Sequence, residues 1–205
     1  MSLHVIILAA GQGSRMKSDL PKVVHRLAGK PMLQHVVDTA NQLNAETIHI
    51  VVGHGAEKVK ETIKDEHINW CLQAEQLGTG HAVAQAIDQI PKDADVLILY
   101  GDVPLTAAQT LDELVSSVEI EQLSLLTVNL ENPQGYGRII RGEDQLISAI
   151  VEEKDARPIF FNSPNDYTAT YLDLLVELTP STLTIARIWK AVNNQYDLTW
   201  HYSQT

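Results

Sequence analysis

A glycine turn with two nearby cations is the part of this sequence whose residue types point most directly to chemistry. Gly11 and Gly13 follow an apolar run over residues 3–8, and Arg15 and Lys22 come shortly afterwards. Glycines can adopt positive φ and carry no Cβ, so such a turn can bring backbone N–H groups against phosphate oxygens. Because the two cations add positive charge beside those donors, the pattern predicts a cradle for a polyphosphate.

Two better-known phosphate loops do not fit this turn. Its spacing, G-x-G-x-x-M, lacks the third glycine of the dinucleotide fingerprint, and no G-K-S or G-K-T follows as in a P-loop. A bare strand-to-helix turn without any ligand is the structural alternative. The charge distribution favours an anionic ligand. The first thirty residues contain a single acid, Asp19, and five cations: Arg15, Lys17, Lys22, Arg26 and Lys30.

Three further constellations follow other predicted strands. In the loop QAEQLGTG, Gln73 offers an amide donor and acceptor for a base, and Gly78 with Thr79 lets the main chain approach a flat ring. A helix N-cap at Thr79 is the structural alternative. Asp102 follows the apolar run LILYG and is the kind of single carboxylate that Mg²⁺ binds together with substrate phosphates. As a lone Gly-Asp pair it is otherwise a turn residue.

The third constellation joins the string GYGR to the string IVEEKDA. Gly137 would let a sugar ring pack close to the backbone, and Glu152 would accept hydrogen bonds from sugar hydroxyls. A hairpin turn and an exposed charged run explain the same residues without a ligand.

Composition limits the class of protein. The 205 residues are 44% hydrophobic and carry a net charge of −11, which argues against nonspecific nucleic-acid binding. No apolar stretch approaches the roughly 18 residues that span a bilayer, and no signal-type N-terminus is present, so we expect a cytoplasmic protein without membrane contact. The only cysteine, Cys71, is predicted to be a small buried hydrophobe rather than a redox or zinc group.

Strand and helix patterns alternate along the chain. Strands are predicted at 3–8, 47–52, 68–72, 95–100 and 123–130, and helices at 31–43, 56–63, 80–90 and 107–118. Thr106 and Gln109 are predicted to form a capping box at the start of the last helix. The alternation predicts an α/β fold, a Rossmann-like and mainly parallel sheet with helices on both faces, whose ligands bind at the carboxyl ends of the strands.

The same segments resemble a known family. The strings LAAGQGSRM, LPKV, LAGKPMLQHV, QAEQLGTGHAV, LYGDVPL, GYGRI and IVEEKDA cover about residues 1–156. They resemble the sugar-phosphate nucleotidyltransferases, in particular the N-terminal uridylyltransferase domain of the bacterial bifunctional N-acetylglucosamine-1-phosphate uridylyltransferase/glucosamine-1-phosphate acetyltransferase. The resemblance implies that UTP and N-acetylglucosamine 1-phosphate give UDP-N-acetylglucosamine, used in peptidoglycan and lipopolysaccharide, and pyrophosphate.

The resemblance also implies roles for individual residues. Those implied to hold the nucleotide are Leu8, Ala9, Ala10, Gly11, Gln73, Gly78 and Thr79. Arg15 and Lys22 would act catalytically on the triphosphate. Those implied to contact the sugar are Tyr100, Gly137, Glu152 and Asn162, and those implied to hold Mg²⁺ are Asp102 and Asn193.

The resemblance weakens after residue 156. We expect one nucleotidyltransferase domain over residues 1–205, in which 157–205 form a divergent and shortened part, and no β-helix acetyltransferase domain because hexapeptide repeats are absent. The Asn162 and Asn193 assignments depend on short matches in this divergent part. Two alternatives stay open: a UTP-binding regulatory or inactive relic with an incomplete sugar site, and a related transferase for another sugar phosphate.

Overall fold

The computed structural model describes residues 2–11, 13, 16–118, 123–128, 134, 136–142, 147–151 and 168–177. These residues fall into two compact units. The first contains the described residues up to Ser124 together with 174–177, and the second contains those between Leu125 and Asp173. No helix within the described ranges is long and apolar enough to cross a membrane.

The first unit is built on a mainly parallel sheet. Its long strands are β1 (Leu3–Ala9), β4 (Thr47–Val52), β5 (Ile68–Leu72) and β6 (Asp95–Tyr100), and a short hairpin is formed by β2 (Arg26–Leu27) and β3 (Lys30–Pro31). The parallel strands lie in the order β5-β4-β1-β6. Residues 174–177 of β10 (Thr168–Glu177) pair with β6 in the antiparallel sense. The predicted α/β class with a mainly parallel sheet is confirmed.

Helices cover both faces of this sheet. They are α1 (Met32–Ala40), α2 (Ala56–Thr62), α3 (Thr79–Ile87) and α4 (Ala108–Ser116). Alternate residues of β1 separate the two faces, because side chains along a strand point to opposite sides. Val5 and Ile7 share one core cluster with Leu33 of α1 and Leu111 of α4, whereas α3 packs against β1 and β4 from the other side.

The face away from the main core cluster buries two imidazoles. His4 and His49 are almost completely buried, and His4 Nδ1 lies 3.4 Å from His49 Nε2. Burial, with a smaller contribution from His4, lowers the pKa of His49 to about 4, so His49 is neutral at neutral pH. Cys71 is a buried free cysteine, as predicted, and burial raises the pKa of its thiol.

The second unit contains a small antiparallel arrangement. β8 (Gly137–Arg141) and β9 (Ile147–Val151) form a hairpin, and residues 168–170 of β10 pair with β8. A further strand, β7 (Leu123–Val128), pairs with β10.

The starts of two helices differ from the sequence prediction. The N-cap of α4 is Ala107, which has no capping side chain, and Gln109 donates to Glu113 on the next turn of the helix instead. The predicted capping box is therefore wrong. The N-cap of α3 is Gly78, so Thr79 is the first helical residue rather than the cap. At α4 the Gln109 side chain pairs with Glu113 rather than with the cap, and at α3 the cap position before Thr79 is taken by a glycine, which is itself a favoured N-cap residue.

All four parallel strands of the first unit end at one edge of the sheet. Ala10, Gly53, Gln73 and Gly101 directly follow these strand ends. Parallel strands bring their carboxyl ends together, and ligands of open α/β sheets bind at that edge. The glycine turn, the loop after β5 and the turn that contains Asp102 therefore meet where the fold favours binding.

Candidate functional site

The glycine turn leaves β1 at the ligand edge. Ala10 is buried, Gly11 is exposed with open space where a Cβ would lie, and the backbone N–H of Met16 donates to the carbonyl of Gly13 at 2.8 Å. The described part of the turn therefore has room beside its backbone for a ligand. The predicted contribution of Arg15 lies outside the described residues.

Gly13 is the position where the turn requires glycine. Its φ is +59°, and a Cβ built there would lie only 2.8 Å from the Cβ of Lys22. Gly11, in contrast, does not have a positive φ. The close approach of Gly13 places the turn directly against the lysine predicted to bind phosphate.

Lys22 is held by an anchored turn. It begins a 3-10 turn over Lys22–Val24, in which Val23 and Val24 are buried and the backbone N–H of Val24 donates to the carbonyl of Pro21 at 3.1 Å. The two valines fix the turn in the core. Lys22 itself is left at the ligand edge with its side chain 41% exposed.

Lys22 and Asp102 form an ion pair across the edge of the sheet. Lys22 Nζ donates to Asp102 Oδ2 at 2.5 Å, although the two residues lie far apart in the sequence. The sequence predicted a phosphate contact for one and a metal ligand for the other, but not this contact. A cation and a carboxylate adjacent to the glycine turn form a site that can accept both an anion and a metal.

Gly101 allows the Asp102 turn to lie this close. A Cβ at Gly101 would meet Leu33 Cδ1 at 3.0 Å, the carbonyl oxygen of Leu8 at 3.2 Å and Val23 Cγ1 at 3.3 Å. The backbone N–H of Gly101 donates to that same Leu8 carbonyl at 2.9 Å, continuing the ladder between β6 and β1. The absence of a side chain thus seats Asp102 against the turn that carries Lys22.

Gln73 directly follows β5 and is almost completely buried. Its backbone N–H donates to the carbonyl of Val52 at 2.8 Å, and its side-chain Nε2 donates to the carbonyl of Gly78 at 3.0 Å. Nε2 also lies 3.1 Å from His81 Nδ1. These contacts fix the amide that the sequence predicted to contact a base.

Sequence reasoning missed two residues of this region. Gln76 Nε2 donates to the carbonyl of Ala10 at 3.3 Å and so links the glycine turn to the loop after β5. His81, on the first turns of α3, contacts the Gln73 amide. Both lie inside the string QAEQLGTGHAV, but their contacts depend on which loops meet in three dimensions.

The other predicted residues are distributed as follows. Leu8 and Ala9 are the buried last residues of β1, and Tyr100 is the partly exposed last residue of β6. Gly137 begins β8 in the second unit, where a Cβ would come no closer than 3.5 Å to its surroundings. Glu152, Asn162 and Asn193 lie outside the described residues.

Comparison with protein families identifies the fold's relatives. Residues 5–159 match the model of the MobA-like NTP transferase domain. The chain belongs to the MobA-like NTP transferase family. This match ends within a few residues of the point, after residue 156, at which the quoted motifs stop.

Individual relatives of this NTP transferase support the family assignment. The chain is 64% identical over 154 residues to a bifunctional protein GlmU of Marinobacter nauticus. This match covers 75% of this chain and 34% of that protein. It is 59% identical over 158 residues to a bifunctional protein GlmU of Pseudomonas aeruginosa, covering 77% of this chain and 35% of that protein. The match spans about a third of the length of these curated relatives. The resemblance inferred from the motifs is confirmed.

A solved structure shows the same fold. The UDP-glucose pyrophosphorylase of Acinetobacter baumanii superposes with a TM-score of 0.72 at 18% identity, covering 87% of this chain and 75% of that one. At this identity the likeness concerns the fold alone. It agrees with the Rossmann-like architecture of the NTP transferase described here.

The residues present fit a divalent-metal site of the kind that substrate phosphates complete. Within the described ranges no group of three or more His, Cys, Asp or Glu residues could enclose a metal by itself. Mg²⁺ binds through one or two carboxylates together with substrate phosphates and water. Asp102, whose side chain is 27% exposed and contacts Lys22 near the glycine turn, suits that role in an NTP transferase.

Substituting Gly13 tests the coupling between the turn and Lys22. Gly13→Ala is expected to lower the free energy of unfolding by more than the roughly 1–2 kcal/mol that positive φ alone costs, and to weaken binding of a nucleoside triphosphate about tenfold. The matched control is Gly29→Ala, because Gly29 has a φ of +83° and open space where the Cβ would lie. Denaturant titration and calorimetry measure the two effects. Equal losses of stability and an unchanged affinity for the nucleoside triphosphate in both variants would contradict the coupling.

Proposed function

We propose that this chain transfers the uridylyl group of UTP to N-acetylglucosamine 1-phosphate. A phosphate oxygen of the sugar phosphate attacks the α-phosphorus of UTP, the bond from that phosphorus to the β-phosphate breaks, and pyrophosphate leaves. The products are UDP-N-acetylglucosamine and pyrophosphate. The proposal includes a cytoplasmic location and a single catalytic domain.

The observation that carries the proposal is the joint presence of a phosphate turn, the Lys22–Asp102 pair and the Gln73 amide at one sheet edge. All of them lie within the stretch that resembles bifunctional GlmU proteins. The choice of uracil as the base and of N-acetylglucosamine 1-phosphate as the acceptor is based on this resemblance. In the structure, Lys22 and Asp102 lie close to the glycine turn, and Gln73 follows another strand that ends at the same edge of the sheet.

The proposed reaction needs no strong general acid or base. The attacking sugar phosphate is already an anion, so alignment of the two phosphates and neutralisation of charge supply the rate enhancement. Lys22 would stabilise the charge on the departing pyrophosphate, with Arg15 as a second predicted cation. Mg²⁺ held by Asp102, with Asn193 as a predicted second ligand, would supply additional neutralisation on the triphosphate.

The sugar contacts are part of the proposal. Tyr100, Gly137, Glu152 and Asn162 are proposed to face N-acetylglucosamine 1-phosphate, as the family resemblance implies. An acceptor panel tests this choice of substrate. Turnover with N-acetylglucosamine 1-phosphate is expected to exceed turnover with glucose 1-phosphate, whereas the reverse order would indicate a transferase for another sugar phosphate.

Gln73 is proposed to select the uracil base, together with Gly78 and Thr79. Gln73→Ala is expected to reduce the preference for UTP over CTP at least tenfold, because a buried hydrogen-bonding group discriminates strongly against a mismatched partner. Gln89→Ala is the matched control, since Gln89 is exposed and contacts Asn69 and Cys71 instead. The ratio of kcat/KM values for the two nucleotides is the readout. An unchanged ratio in Gln73→Ala would remove this residue from base recognition.

A further inference from the structure

His81 lies on α3, between the side chains of two glutamines. Gln73 is in the loop before α3, and Gln85 is on α3 itself. Its Nδ1 is 3.1 Å from Gln73 Nε2, and its Nε2 is 3.2 Å from Gln85 Nε2. Gln85 Nε2 also donates to the carbonyl of His81 at 3.0 Å. Neither His81 nor Gln85 was among the predicted site residues, and the function proposed above does not use them.

The orientation of the Gln73 amide follows from its two contacts. Its Nε2 carries two hydrogens, and the carbonyl of Gly78 at 3.0 Å and His81 Nδ1 at 3.1 Å account for both. Turning the amide around would bring Oε1 against the Gly78 carbonyl oxygen, and two acceptors repel each other. The side chain is only 3% exposed, so water cannot replace the lost donor. Gln73 can therefore offer a ligand only an acceptor, its Oε1.

This orientation requires a particular tautomer of His81. Nδ1 accepts from Gln73, so the neutral ring carries its proton on Nε2. A neutral imidazole has one acceptor nitrogen and cannot also accept from Gln85 Nε2. The conflict is resolved at Gln85. Its side chain is partly exposed, so water can replace its bond to the His81 carbonyl when it moves to let its oxygen accept from His81 Nε2–H. Gln73 is buried and bonded twice, so it keeps its orientation.

We propose that His81 is a positioning residue that sets base selectivity by holding the Gln73 amide with its oxygen toward the ligand. This inference depends on the proposed function, and it specifies which hydrogen-bonding pattern on the base the site recognises. Uracil carries an N–H at position 3, which would donate to Gln73 Oε1. Cytosine carries a lone pair at that position, which would face another acceptor. The opposite tautomer of His81 would present a second donor to Gln73 Nε2–H, so the Gly78 carbonyl would have to orient the amide without His81 and the selectivity would be reduced.

Calorimetric binding of UTP and CTP to the full chain and its variants tests the role of His81. His81→Leu removes the acceptor and is expected to lower the ratio of UTP to CTP affinity about tenfold, the size of one neutral hydrogen bond. His81→Asn is expected to keep most of the preference, because the Asn Oδ1 can accept from Gln73 in place of Nδ1. The exposed His67 gives a matched control, and His67→Leu is expected to leave the ratio unchanged.

A nitrogen-15 NMR spectrum of the histidine rings shows which ring nitrogen of His81 carries the proton. A purely structural role would not require one particular tautomer. The expected state of His81 is neutral with the proton on Nε2, both before and after UTP is added. A proton on Nδ1 would overturn the inference, as would an unchanged affinity ratio in His81→Leu. If the unmodified chain binds UTP and prefers it while His81→Leu behaves identically, only the His81 inference fails. If the unmodified chain does not bind UTP, the proposed function fails with it.

Discussion

Asp102→Ala is expected to reduce magnesium-dependent turnover about 10³-fold or more, because it removes the carboxylate proposed to hold the metal against the triphosphate. Asp102 lies in the turn after β6 with its side chain 27% exposed, so little core volume is lost. The thermal midpoint of unfolding is therefore expected to stay close to that of the unmodified chain. Turnover is measured as pyrophosphate release across a range of Mg²⁺ concentrations.

A control at the opposite edge of the sheet separates this effect from a general loss of acidic charge. Asp93 is exposed and lies just before β6 begins, so Asp93→Ala removes the same charge away from the proposed site. We expect that variant to keep the turnover of the unmodified chain. Binding of Mn²⁺ in the presence of UTP gives a second readout that does not depend on turnover. Full turnover in Mg²⁺ by Asp102→Ala would remove the carboxylate from the proposed metal site.

Lys22→Ala is expected to cut turnover about 10²-fold or more, since a preorganised cation beside the leaving pyrophosphate contributes on that scale. The buried Val23 and Val24 anchor its turn, so the loss is expected without unfolding. The matched control is Lys30→Ala. Lys30 makes the same 2.5 Å contact with Asp38 as Lys22 makes with Asp102, and both pairs are partly exposed.

The same substitution is expected to have an opposite effect on metal binding. Lys22 Nζ contacts Asp102 Oδ2 directly, and the ammonium competes with a divalent cation for that oxygen. Without nucleotide, Lys22→Ala is therefore expected to bind Mn²⁺ about two- to fivefold more tightly, the range of a partly exposed ion pair. Unchanged turnover with unchanged Mn²⁺ affinity would show that the pair does not belong to the site.

The sheet could be predicted from sequence because its signal is local. The bounds of β4, β5 and β6 agree with the prediction, since each is a short apolar run followed by a polar residue or a glycine. Helix starts were predicted less well. At α4 the sequence suggested a cap by Thr106, but the cap is Ala107, because a capping motif in sequence competes with side-chain pairs such as Gln109–Glu113.

The site was predicted as separate groups rather than as an arrangement. Lys22, Asp102 and Gln73 were each assigned a ligand from residue type and position after a strand or glycine turn. Their contacts with protein groups could not be predicted, because Lys22 meets Asp102 only when the carboxyl ends of β1 and β6 lie side by side. His81 was missed for a related reason. Its importance depends on a tautomer and an amide orientation, and neither is encoded in the spacing of the residues.

Uridylyl transfer itself is tested most directly by incubating the chain with UTP, N-acetylglucosamine 1-phosphate and Mg²⁺ and measuring both products. We expect UDP-N-acetylglucosamine and pyrophosphate in equal amounts, with formation of both depending on Mg²⁺ and lost in Asp102→Ala. Calorimetry on the same sample shows whether UTP binds. UTP binding without formation of either product would contradict the account and identify the chain as a nucleotide-binding relic.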